Sequence, residues 1–456
     1  MTGSSFHSVV FLGIGGIGMS ALARYFNQQG KAVFGYDKTP THITNALEAE
    51  GMTITFTDDV RWLDKILEGD LNGYRFIYTP AIPDDLQLKQ HLLRKDCTLL
   101  KRSQALGLVT DNTTNLSIAG THGKTTTSCI LNHILQTANI PSVAFLGGIS
   151  SNYGSNYINS LNETDRLISV TEADEFDRSF LQLHPFMAAI TSMDADHLDI
   201  YGDASSLTDS FKEFANQVNP SGKLFVHTSL QNHFPENDII TYGIGEGSIS
   251  AQHVHIHDGS FVFDLYHGDT IIRNLVLGIA GRHNVENAVV ACAMALEMGA
   301  TEQDLRKALV SFTGVKRRFE FVVKEPTVYI DDYAHHPTEL NATISSLRQL
   351  YPTKRITGIF QPHLYSRTRD FLDGFAESLS QLDEAWLMDI YPAREEPIPG
   401  ITSKLIFDKI TSDKVMVTRE DIVNRLATNT PEVLVTLGAG DIDKLVEPIK
   451  NQLLSQ

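Results

Sequence analysis

At residues 120–127 the chain has the sequence Gly120-Thr121-His122-Gly123-Lys124-Thr125-Thr126-Thr127. An apolar, strand-like run, residues 116–119, precedes this stretch, and a helix-like run, residues 128–135, follows it. A strand, a glycine turn and a helix in this order form a cradle for phosphate. Glycines let backbone N–H groups turn towards an anion, and the helix N-terminus adds partial positive charge. In such a cradle Lys124 reaches the outer phosphates, and the Thr125 hydroxyl ligates the Mg²⁺ that accompanies them.

The spacing of the two glycines is unusual for a nucleotide-binding loop. Two residues separate Gly120 from Gly123, whereas four residues separate the glycines of the common motif. The alternative is a surface turn that happens to contain Gly-Lys-Thr. The strand before the loop and the helix after it are the context that the motif requires, so the sequence favours the phosphate site.

Length, charge and cysteine content limit the class of protein. With 456 residues the chain is long enough for about three domains. A net charge of −18 argues against a nucleic-acid-binding protein, because phosphate backbones require a basic surface. The three cysteines are far apart and suit a reducing compartment. We find no signal-peptide pattern and no run of about 18 apolar residues, so we predict a cytoplasmic protein without membrane insertion.

Alternating strand and helix patterns run along the whole chain. They predict an α/β fold of three consecutive domains, each with a parallel sheet flanked by helices. We predict an N-terminal Rossmann-like domain at 1–111, a central P-loop domain at 112–314 and a C-terminal Rossmann-like domain at 315–456. Within the central domain, residues 248–277 have the pattern of short β segments.

In the first domain, residues 13–18 have the sequence Gly-Ile-Gly-Gly-Ile-Gly between a predicted strand and helix. This is the G-x-G-x-x-G pattern, and Asp37 follows the second strand, where an acidic residue meets a ribose hydroxyl. The pattern raises the alternative of a nicotinamide-dependent dehydrogenase. A phosphate cradle with Mg²⁺ in the next domain does not suit that class, whereas the same glycine turn can hold the diphosphate of a nucleotide sugar.

Two further strand ends of the central domain carry polar side chains. Residues 172–175 are Glu-Ala-Asp-Glu, and residues 194–197 are Asp-Ala-Asp-His. Ligands of open parallel sheets bind beyond the carboxyl ends of the strands, so we expect these residues near Lys124. Mg²⁺ prefers oxygen ligands and needs few carboxylates when phosphates supply the rest. Glu172 is therefore a candidate Mg²⁺ ligand and His197 a candidate for a second ion, with a solvated acidic turn as the alternative.

The last domain has two segments rich in histidine, tyrosine and arginine. Residues 331–337 and 360–368 each follow a predicted strand. Side chains of these types can position a small amino acid, with Arg367 as a fork-shaped donor to its carboxylate. A metal site at His335 and His336 is the alternative, but Pro337 suggests that a helix starts there.

Together these motifs resemble the Mur ligase family. The resemblance covers all three domains and rests on residues 13–20, 120–127, 172–175, 196–199, 281–287, 316–320, 331–339 and 363–368. The shortened phosphate loop is the form that this family uses. The resemblance implies an ATP- and Mg²⁺-dependent ligase that joins L-alanine to the lactyl carboxylate of UDP-N-acetylmuramate through an acyl phosphate.

The resemblance also implies roles for individual residues. The UDP part of the nucleotide sugar would be bound by Gly15, Ile17, Gly18, Met19, Ser20 and Asp37. The ATP phosphates would lie on Gly120, Thr121, His122, Gly123, Lys124, Thr125 and Thr126. The rest of ATP would meet Asn284, Asn287, Arg318 and Asp332. Metal ions would be bound by Thr125, Glu172 and His197. L-Alanine would be bound by Tyr333, His335, His363 and Arg367. The catalytic residues would be Lys124, Arg367 and His335, the last as a proton acceptor for the amine.

The sequence departs from the family pattern at two positions. Many relatives have arginine where Leu364 stands, so recognition of the alanine carboxylate would depend more on Arg367. Several sister ligases have a carbamylated lysine where this chain has Phe211. Lys212 is adjacent but faces another way on a helix, so we predict no carbamylation.

Three alternatives remain at this point. The nearest is a recycling ligase that joins a ready-made tripeptide to the same nucleotide sugar, since only its last domain would differ. A nicotinamide-dependent oxidoreductase and a nucleotide-regulated binding protein without catalysis represent other classes. The oligomeric state does not follow from the sequence.

Overall fold

The structure is a computed structural model that describes residues 6–160, 167–194, 201, 203–393 and 395–455. It confirms the predicted α/β fold, in which parallel sheets are flanked by helices. Contacts divide the chain into two compact units. The first unit contains residues up to 252, 264–275 and 286–311, and the second contains residues 253–263, 276–285 and 312 onwards. The domain boundaries at 112 and 315 remain predictions.

The first sheet is formed by the N-terminal part of the chain. Its strands are β1 (Ser8–Leu12), β2 (Ala32–Tyr36), β3 (Thr53–Thr55), β4 (Tyr74–Tyr78) and β5 (Leu99–Lys101). Its helices are α1 (Ile17–Gln28), α2 (His42–Ala49), α3 (Val60–Ile66), α4 (Gln87–Arg94) and α5 (Arg102–Thr110). The strands are parallel in the order β3-β2-β1-β4-β5. Every residue of β1 is buried, as expected for a parallel strand covered on both faces.

The second sheet contains the strand that leads into the phosphate loop. Its strands are β6 (Thr114–Ala119), β7 (Ser142–Ser150), β8 (Ser155–Asn159), β9 (Ile168–Ala173), β10 (Met187–Ile190), β11 (Lys223–His227), β12 (Ile239–Ile244), β13 (Ile249–His257), β14 (Ser260–His267) and β15 (Thr270–Leu277). The strand order is β15-β14-β13-β12-β11-β10-β6-β9-β7-β8. The helices are α6 (Lys124–Thr137), α7 (Ala204–Asn216), α8 (Arg282–Glu297) and α9 (Glu302–Ser311).

The three strands that carry predicted site residues are neighbours in this sheet. β6 lies between β9 and β10, and all three are parallel. Glu172 pairs with Ile118, and Ile190 pairs with Ala119. Their carboxyl ends therefore meet at one edge, as predicted. The antiparallel hairpin of β7 and β8 was not predicted, because its apolar run is interrupted by two glycines, Gly147 and Gly148.

The third sheet belongs to the second compact unit. Its strands are β16 (Glu320–Val323), β17 (Val328–Asp332), β18 (Ile356–Phe360), β19 (Glu384–Leu387), β20 (Asp413–Met416) and β21 (Val433–Leu437). The order is β16-β17-β21-β18-β19-β20, and β16 is antiparallel to its neighbour. The helices are α10 (Pro337–Leu350), α11 (Tyr365–Asp370), α12 (Leu372–Leu379), α13 (Ser403–Lys409), α14 (Arg419–Thr428) and α15 (Val446–Leu454). Asp332 and Phe360 both pair with Leu437, so β17 and β18 end at the same level.

No helix within the described residues has the length and the apolar composition that crossing a membrane requires.

A buried polar contact joins helix α1 of the first sheet to strand β8 of the second. Asn156 is fully buried, and its Nδ2 donates to Ile17 O at 2.5 Å and to Ser20 Oγ at 3.0 Å. Its Oδ1 accepts a hydrogen bond from Arg24 Nη1, and the Arg24 Nε donates to Glu50 at 2.9 Å. Because Asn156, Ser20 and Arg24 are buried and paired, this contact fixes α1 against the hairpin.

We expect the substitution Asn156→Ala to lower the free energy of unfolding of this part of the chain by about 2–3 kcal/mol. It removes three hydrogen bonds, to the Ile17 carbonyl, the Ser20 hydroxyl and the Arg24 guanidinium, although Ile17 keeps Ser20 and Arg24 keeps Glu50 as partners. Each lost bond contributes about 0.5–1.5 kcal/mol. The midpoint of urea unfolding measures the change. Asn159→Ala is the control, since Asn159 lies on the same strand but makes an exposed hydrogen bond to Gln28. Equal shifts for both variants would contradict the prediction.

Candidate active site

The phosphate loop, residues 120–125, forms the predicted turn between β6 and α6. Gly120 and Gly123 have φ values of +137° and +83°, in the region that favours glycine. A Cβ on Gly120 would overlap the Thr191 side chain, and one on Gly123 would lie 2.7 Å from Asn287 Oδ1. Both positions therefore need glycine for conformation and for close packing.

Thr121 and His122 attach the loop to the residues that follow β10. The Thr121 N–H donates to Ser192 O at 3.1 Å, and Thr121 Oγ1 accepts the Asp194 N–H at 3.0 Å. The His122 N–H donates to Ser192 Oγ at 2.7 Å, and His122 Nε2 lies 3.1 Å from Asp194 Oδ2. These contacts fix the shape of the loop. The N–H groups at the start of α6, where Thr126 lies in the first turn, have no intrahelical acceptor and suit an anion.

Lys124 lies in a buried ion pair at the carboxyl end of β9. Its Nζ donates to Gly120 O at 2.5 Å and to the two carboxylate oxygens of Glu175 at 3.0 Å and 2.8 Å. Only 1% of the Glu175 side chain is exposed, and burial raises the pKa of its carboxyl to about 7. Burial acts to lower the pKa of Lys124, but the nearby carboxylates outweigh it and raise that pKa above its ordinary value. The loop lysine is therefore held as a cation at the predicted phosphate site.

Glu172 and Thr125 have the oxygen donors that a magnesium ion prefers. Glu172 Oε2 accepts the Gly147 N–H at 2.9 Å, which orients the carboxylate. The Thr125 hydroxyl lies in the first turn of α6 and makes no hydrogen bond to the described residues. A partly exposed carboxylate and an uncommitted hydroxyl fit a hard cation whose remaining ligands are phosphate and water oxygens. His197, the other predicted metal ligand, lies outside the described residues.

The absence of a side chain at Gly147 leaves the space that the Glu172 carboxylate occupies, because a Cβ at this position would overlap that carboxylate. We expect Gly147→Ala to raise the Mg²⁺ concentration for half-maximal activity by about tenfold or more, as for other residues that orient metal ligands. A magnesium titration of the rate measures this. The control is Gly154→Ala in the turn of the same hairpin, where an added Cβ meets nothing within 4 Å but the φ of +63° strains the backbone. This variant therefore reports strain in the hairpin without contact with Glu172. An unchanged magnesium requirement in Gly147→Ala would contradict the placement of Glu172.

The two asparagines predicted to meet ATP both lie on α8. Asn287 Oδ1 accepts a hydrogen bond from Thr127 Oγ1 at 3.1 Å and packs against Gly123. The structure therefore brings Asn287 to the phosphate loop. Asn284 Nδ2 donates to Ala280 O at 2.6 Å within the second compact unit.

The glycine loop, residues 13–18, joins β1 to α1 as predicted. Gly15 donates its N–H to Asp37 Oδ2 at 2.7 Å, and a Cβ on Gly15 would lie 2.8 Å from the same oxygen. Asp37 thus holds the glycine loop. Its place at the end of β2 beside the loop agrees with a site for the nucleoside part of a ligand.

The first turn of α1 contains the other residues predicted to bind the diphosphate. Ile17 and Gly18 are partly exposed, whereas the side chains of Met19 and Ser20 are buried. Ser20 Oγ donates to Ile17 O at 2.9 Å and also accepts from Asn156. The Ser20 hydroxyl is therefore part of the contact with β8.

In the second compact unit, Asp332 lies at the end of β17 and organises the following segment. Its carboxylate accepts the N–H groups of Phe319 at 2.9 Å and Ala334 at 2.8 Å, and the Thr343 hydroxyl at 3.1 Å. Burial raises the pKa of Asp332 to about 6, although the nearby Arg318 acts in the opposite direction. Asp332 is thus a buried anchor for the segment that carries the predicted alanine-binding residues.

Arg318, Tyr333 and His335 form one cluster around Glu339. The Arg318 guanidinium lies over the Tyr333 ring at 4.9 Å and 3.5 Å from Glu339 Oε1. His335 Nδ1 lies 3.0 Å from Tyr333 O and 3.1 Å from Glu339 Oε2. Both partners accept hydrogen bonds, so they favour a proton on Nδ1 and leave Nε2 as the acceptor in the neutral ring.

His363 and Arg367 lie beside this cluster on the segment after β18. The His335 and His363 rings are 6.0 Å apart, and Arg367 Nη1 lies 3.3 Å from His363 Nδ1. Arg367 is 6% exposed, which gives a largely desolvated cation at the predicted carboxylate site. Leu364 is buried and has a φ of +71°. Its aliphatic side chain contributes no charge to the carboxylate site. The structure thus brings together Tyr333, His335, His363 and Arg367.

The alternative of a metal site at His335 and His336 is not favoured by the contacts of His336. His336 is the N-cap of α10, where its Nδ1 accepts the Thr338 N–H at 3.3 Å. Its ring also packs at 4.5 Å on Phe371. Pro337 is the first helical residue, as the sequence predicted.

Two contacts of the candidate site were missed from the sequence. Glu175 was noted as part of an acidic turn, but its pairing with Lys124 was not predicted. Gly147 gave no signal, because its importance lies in its contact with Glu172, which is far away in the chain. Phe211 is fully buried against Phe180, which explains why an aromatic side chain occupies that position.

Comparison with known proteins identifies the family. The Mur ligase family, catalytic domain matches residues 8–114, the Mur ligase middle domain matches 118–295, and the Mur ligase, glutamate ligase domain matches 317–440. These three matches cover most of the chain. The chain therefore belongs to the Mur ligase family, whose members are ATP-dependent ligases.

Similar proteins within this family include UDP-N-acetylmuramate–L-alanine ligases. A curated UDP-N-acetylmuramate–L-alanine ligase from Christiangramia forsetii is 48% identical over 449 residues, which is 98% of this chain and 97% of that protein. The crystal structure of UDP-N-acetylmuramate-alanine ligase MurC from Thermotoga maritima has a TM-score of 0.82 and 25% identity, covering 98% of this chain and 99% of that one. A murein peptide ligase from Psychrobacter arcticus shares the fold, with a TM-score of 0.69 and 22% identity over 98% of both chains.

Proposed function

We propose that this chain joins L-alanine to the lactyl carboxylate of UDP-N-acetylmuramate, with conversion of ATP to ADP and phosphate. The observation that carries the proposal is the 48% identity, over 98% of the chain, to a curated ligase of that name. The site agrees with it, because the phosphate loop and the strand-end carboxylates lie together at one edge of the second sheet. The same identity argues against a nicotinamide-dependent oxidoreductase and against a binding protein without catalysis.

The first chemical step is activation of a carboxylate, which by itself is a poor acyl donor. A lactyl oxygen attacks the γ-phosphorus of ATP, the bond to the β-phosphate oxygen breaks, and an acyl phosphate and ADP result. Both reactants are anions, so the site must neutralise charge. Lys124 and the N–H groups at the start of α6 supply positive charge that neutralises the two anions. Mg²⁺, held by Thr125 and Glu172, would supply the remaining positive charge and polarise the phosphate.

The second step forms the amide. The alanine amine attacks the acyl carbon, phosphate leaves, and the amine loses a proton. Arg367 binds the alanine carboxylate as a fork-shaped donor, which fixes the direction of the amine. His335 takes the proton at Nε2 in this proposal, which is supported by Tyr333 O and Glu339 as the partners of its Nδ1. We place this reaction in the cytoplasm, in agreement with the three free cysteines.

The test is an assay of ATP-dependent phosphate release with UDP-N-acetylmuramate and one amino acid at a time. We expect turnover with L-alanine, and the product should be identified by its mass. Because this chain shares its fold with a murein peptide ligase, the assay also tests the tripeptide that a recycling ligase would use as the acceptor. Turnover with the tripeptide and none with L-alanine would overturn the proposal in favour of that alternative. No phosphate release with either acceptor would overturn both.

A further inference from the structure

Arg102, the first residue of α5, lies between the first and second sheets. Its Nη2 donates to Asp174 Oδ2 at 3.0 Å, and its side chain is 19% exposed. Asp174 follows β9, one residue before Glu175, the partner of Lys124. The guanidinium is therefore a mostly desolvated cation paired with a carboxylate of the predicted ATP site.

The same guanidinium packs on the first turn of α1. A Cβ on Gly18 would lie 2.9 Å from both Cδ and Nη1 of Arg102. A larger side chain at position 18 would therefore require the Arg102 side chain to move. Nη1 is close to the glycine loop, and neither Nη1 nor Nε of Arg102 has a hydrogen-bond acceptor among the described residues.

We propose that Arg102 binds the diphosphate of the nucleotide sugar. A diphosphate at the start of α1 would lie beside a guanidinium with spare donors, and arginine matches phosphate oxygens with two parallel N–H groups. The single carboxylate of Asp174 leaves donors of Arg102 unused. This inference rests on the proposed function, because the nucleotide sugar is the ligand that the glycine loop would hold.

Asp174 acts here as a positioning residue. Its Oδ1 accepts the Phe176 N–H at 3.1 Å, which orients its carboxylate, and its Oδ2 holds Nη2 of Arg102. With Nη2 held in this way, Nη1 stays against Gly18. Asp174 and Glu175 are neighbours in one short turn. Asp174 pairs with Arg102 at the predicted site of the nucleotide sugar, and Glu175 pairs with Lys124 at the predicted site of ATP.

The chain contains a matched control for this inference. Lys101, the preceding residue, pairs with Asp177 at 3.1 Å. That ion pair also joins the end of β5 to the segment after β9, but Lys101 is not among the atoms nearest to Gly18. If Arg102 only joined the two sheets, loss of either cation would have the same effect on ligand binding.

The experiment measures binding of UDP-N-acetylmuramate, UDP and uridine to the full chain and to its Arg102→Ala, Arg102→Lys and Lys101→Ala variants by calorimetry. We expect Arg102→Ala to raise the dissociation constants of the two diphosphates by about 10- to 100-fold, as for a lost charged hydrogen-bonding partner. We expect the affinity for uridine to change by less than about twofold. Lys101→Ala should leave all three constants within about twofold, and Arg102→Lys should fall between the original protein and Arg102→Ala.

Steady-state kinetics give a second readout. In Arg102→Ala the KM for UDP-N-acetylmuramate should rise far more than the KM for ATP. Equal weakening of uridine and UDP, or equal effects of Arg102→Ala and Lys101→Ala, would overturn the inference and leave Arg102 a structural residue. If the original protein binds UDP with this dependence on Arg102 but does not ligate L-alanine, the proposed function fails while the inference stands. If UDP does not bind, both fail.

Discussion

Replacing Lys124 with alanine is expected to reduce amide formation by about a thousandfold. The lysine is a cation held in the phosphate loop, and loss of one group that stabilises developing charge lowers kcat by roughly 10²–10³-fold. Here the substitution also exposes the reacting anions to the negative charge of Glu175, so the loss should reach the upper end of that range. Phosphate release and product formation should fall together, because both depend on transfer of the γ-phosphoryl group.

Two further variants separate chemistry from folding. Lys124→Ala leaves the Glu175 carboxylate buried without its partner, which by itself destabilises the fold. The double variant Lys124→Met with Glu175→Gln removes both charges and should recover stability but not activity. Lys223→Ala is the control, since Lys223 forms a 2.6 Å ion pair with Glu297 at the opposite, amino end of β11. A Lys124→Ala enzyme with more than about a tenth of the original rate would contradict the assignment of the phosphate loop.

The second large effect is expected from Arg367→Ala. Arg367 is buried and lies beside His363 in the predicted alanine pocket. Loss of one partner of a buried charge pair costs about 2–5 kcal/mol. We therefore expect kcat/KM for L-alanine to fall on the order of 10²–10³-fold, with the affinity for ATP little changed. Because Leu364 supplies no charge, little residual carboxylate binding should remain.

Arg369→Ala is the matched control for this prediction. Arg369 lies two residues further along α11, is about half exposed and pairs with its neighbour Asp370. Its removal takes away the same charge from the same helix but from a solvated position, so kcat/KM should stay within about threefold. If both variants lost activity to the same extent, a general loss of positive charge rather than a specific carboxylate contact would be responsible.

The strands and helices around the two glycine-rich loops were predictable because their signals are local. A buried parallel strand is a short apolar run, and the glycines that follow it are needed for the turn whatever surrounds them. The segments at Gly13 and Gly120 satisfied both conditions, and the structure has the predicted strand, turn and helix at each. The start of α10 at Pro337 was predictable for the same reason, since proline suits the first helical position.

The hairpin of β7 and β8 was not predictable in this way. Strand β7 pairs with β8 and, across the sheet, with β9, and the local sequence does not show these pairings. The two glycines in β7 also interrupt the apolar pattern that would predict a strand. One of them, Gly147, is needed because the Glu172 carboxylate fills the space of its side chain. Nothing local to the sequence shows such a requirement, because the two residues are brought together by sheet pairing.

The sequence alone was enough to predict the fold class and the phosphate loop and to propose candidate residues for the chemistry, because each of these depends on residue types at fixed short spacings. The tertiary structure alone decided which of these residues are partners. It paired Lys124 with Glu175 and Arg102 with Asp174, and it placed Arg102 on Gly18. Ion pairs and close packing act between side chains that are neighbours in space, and the order of strands in a sheet decides which distant segments become neighbours.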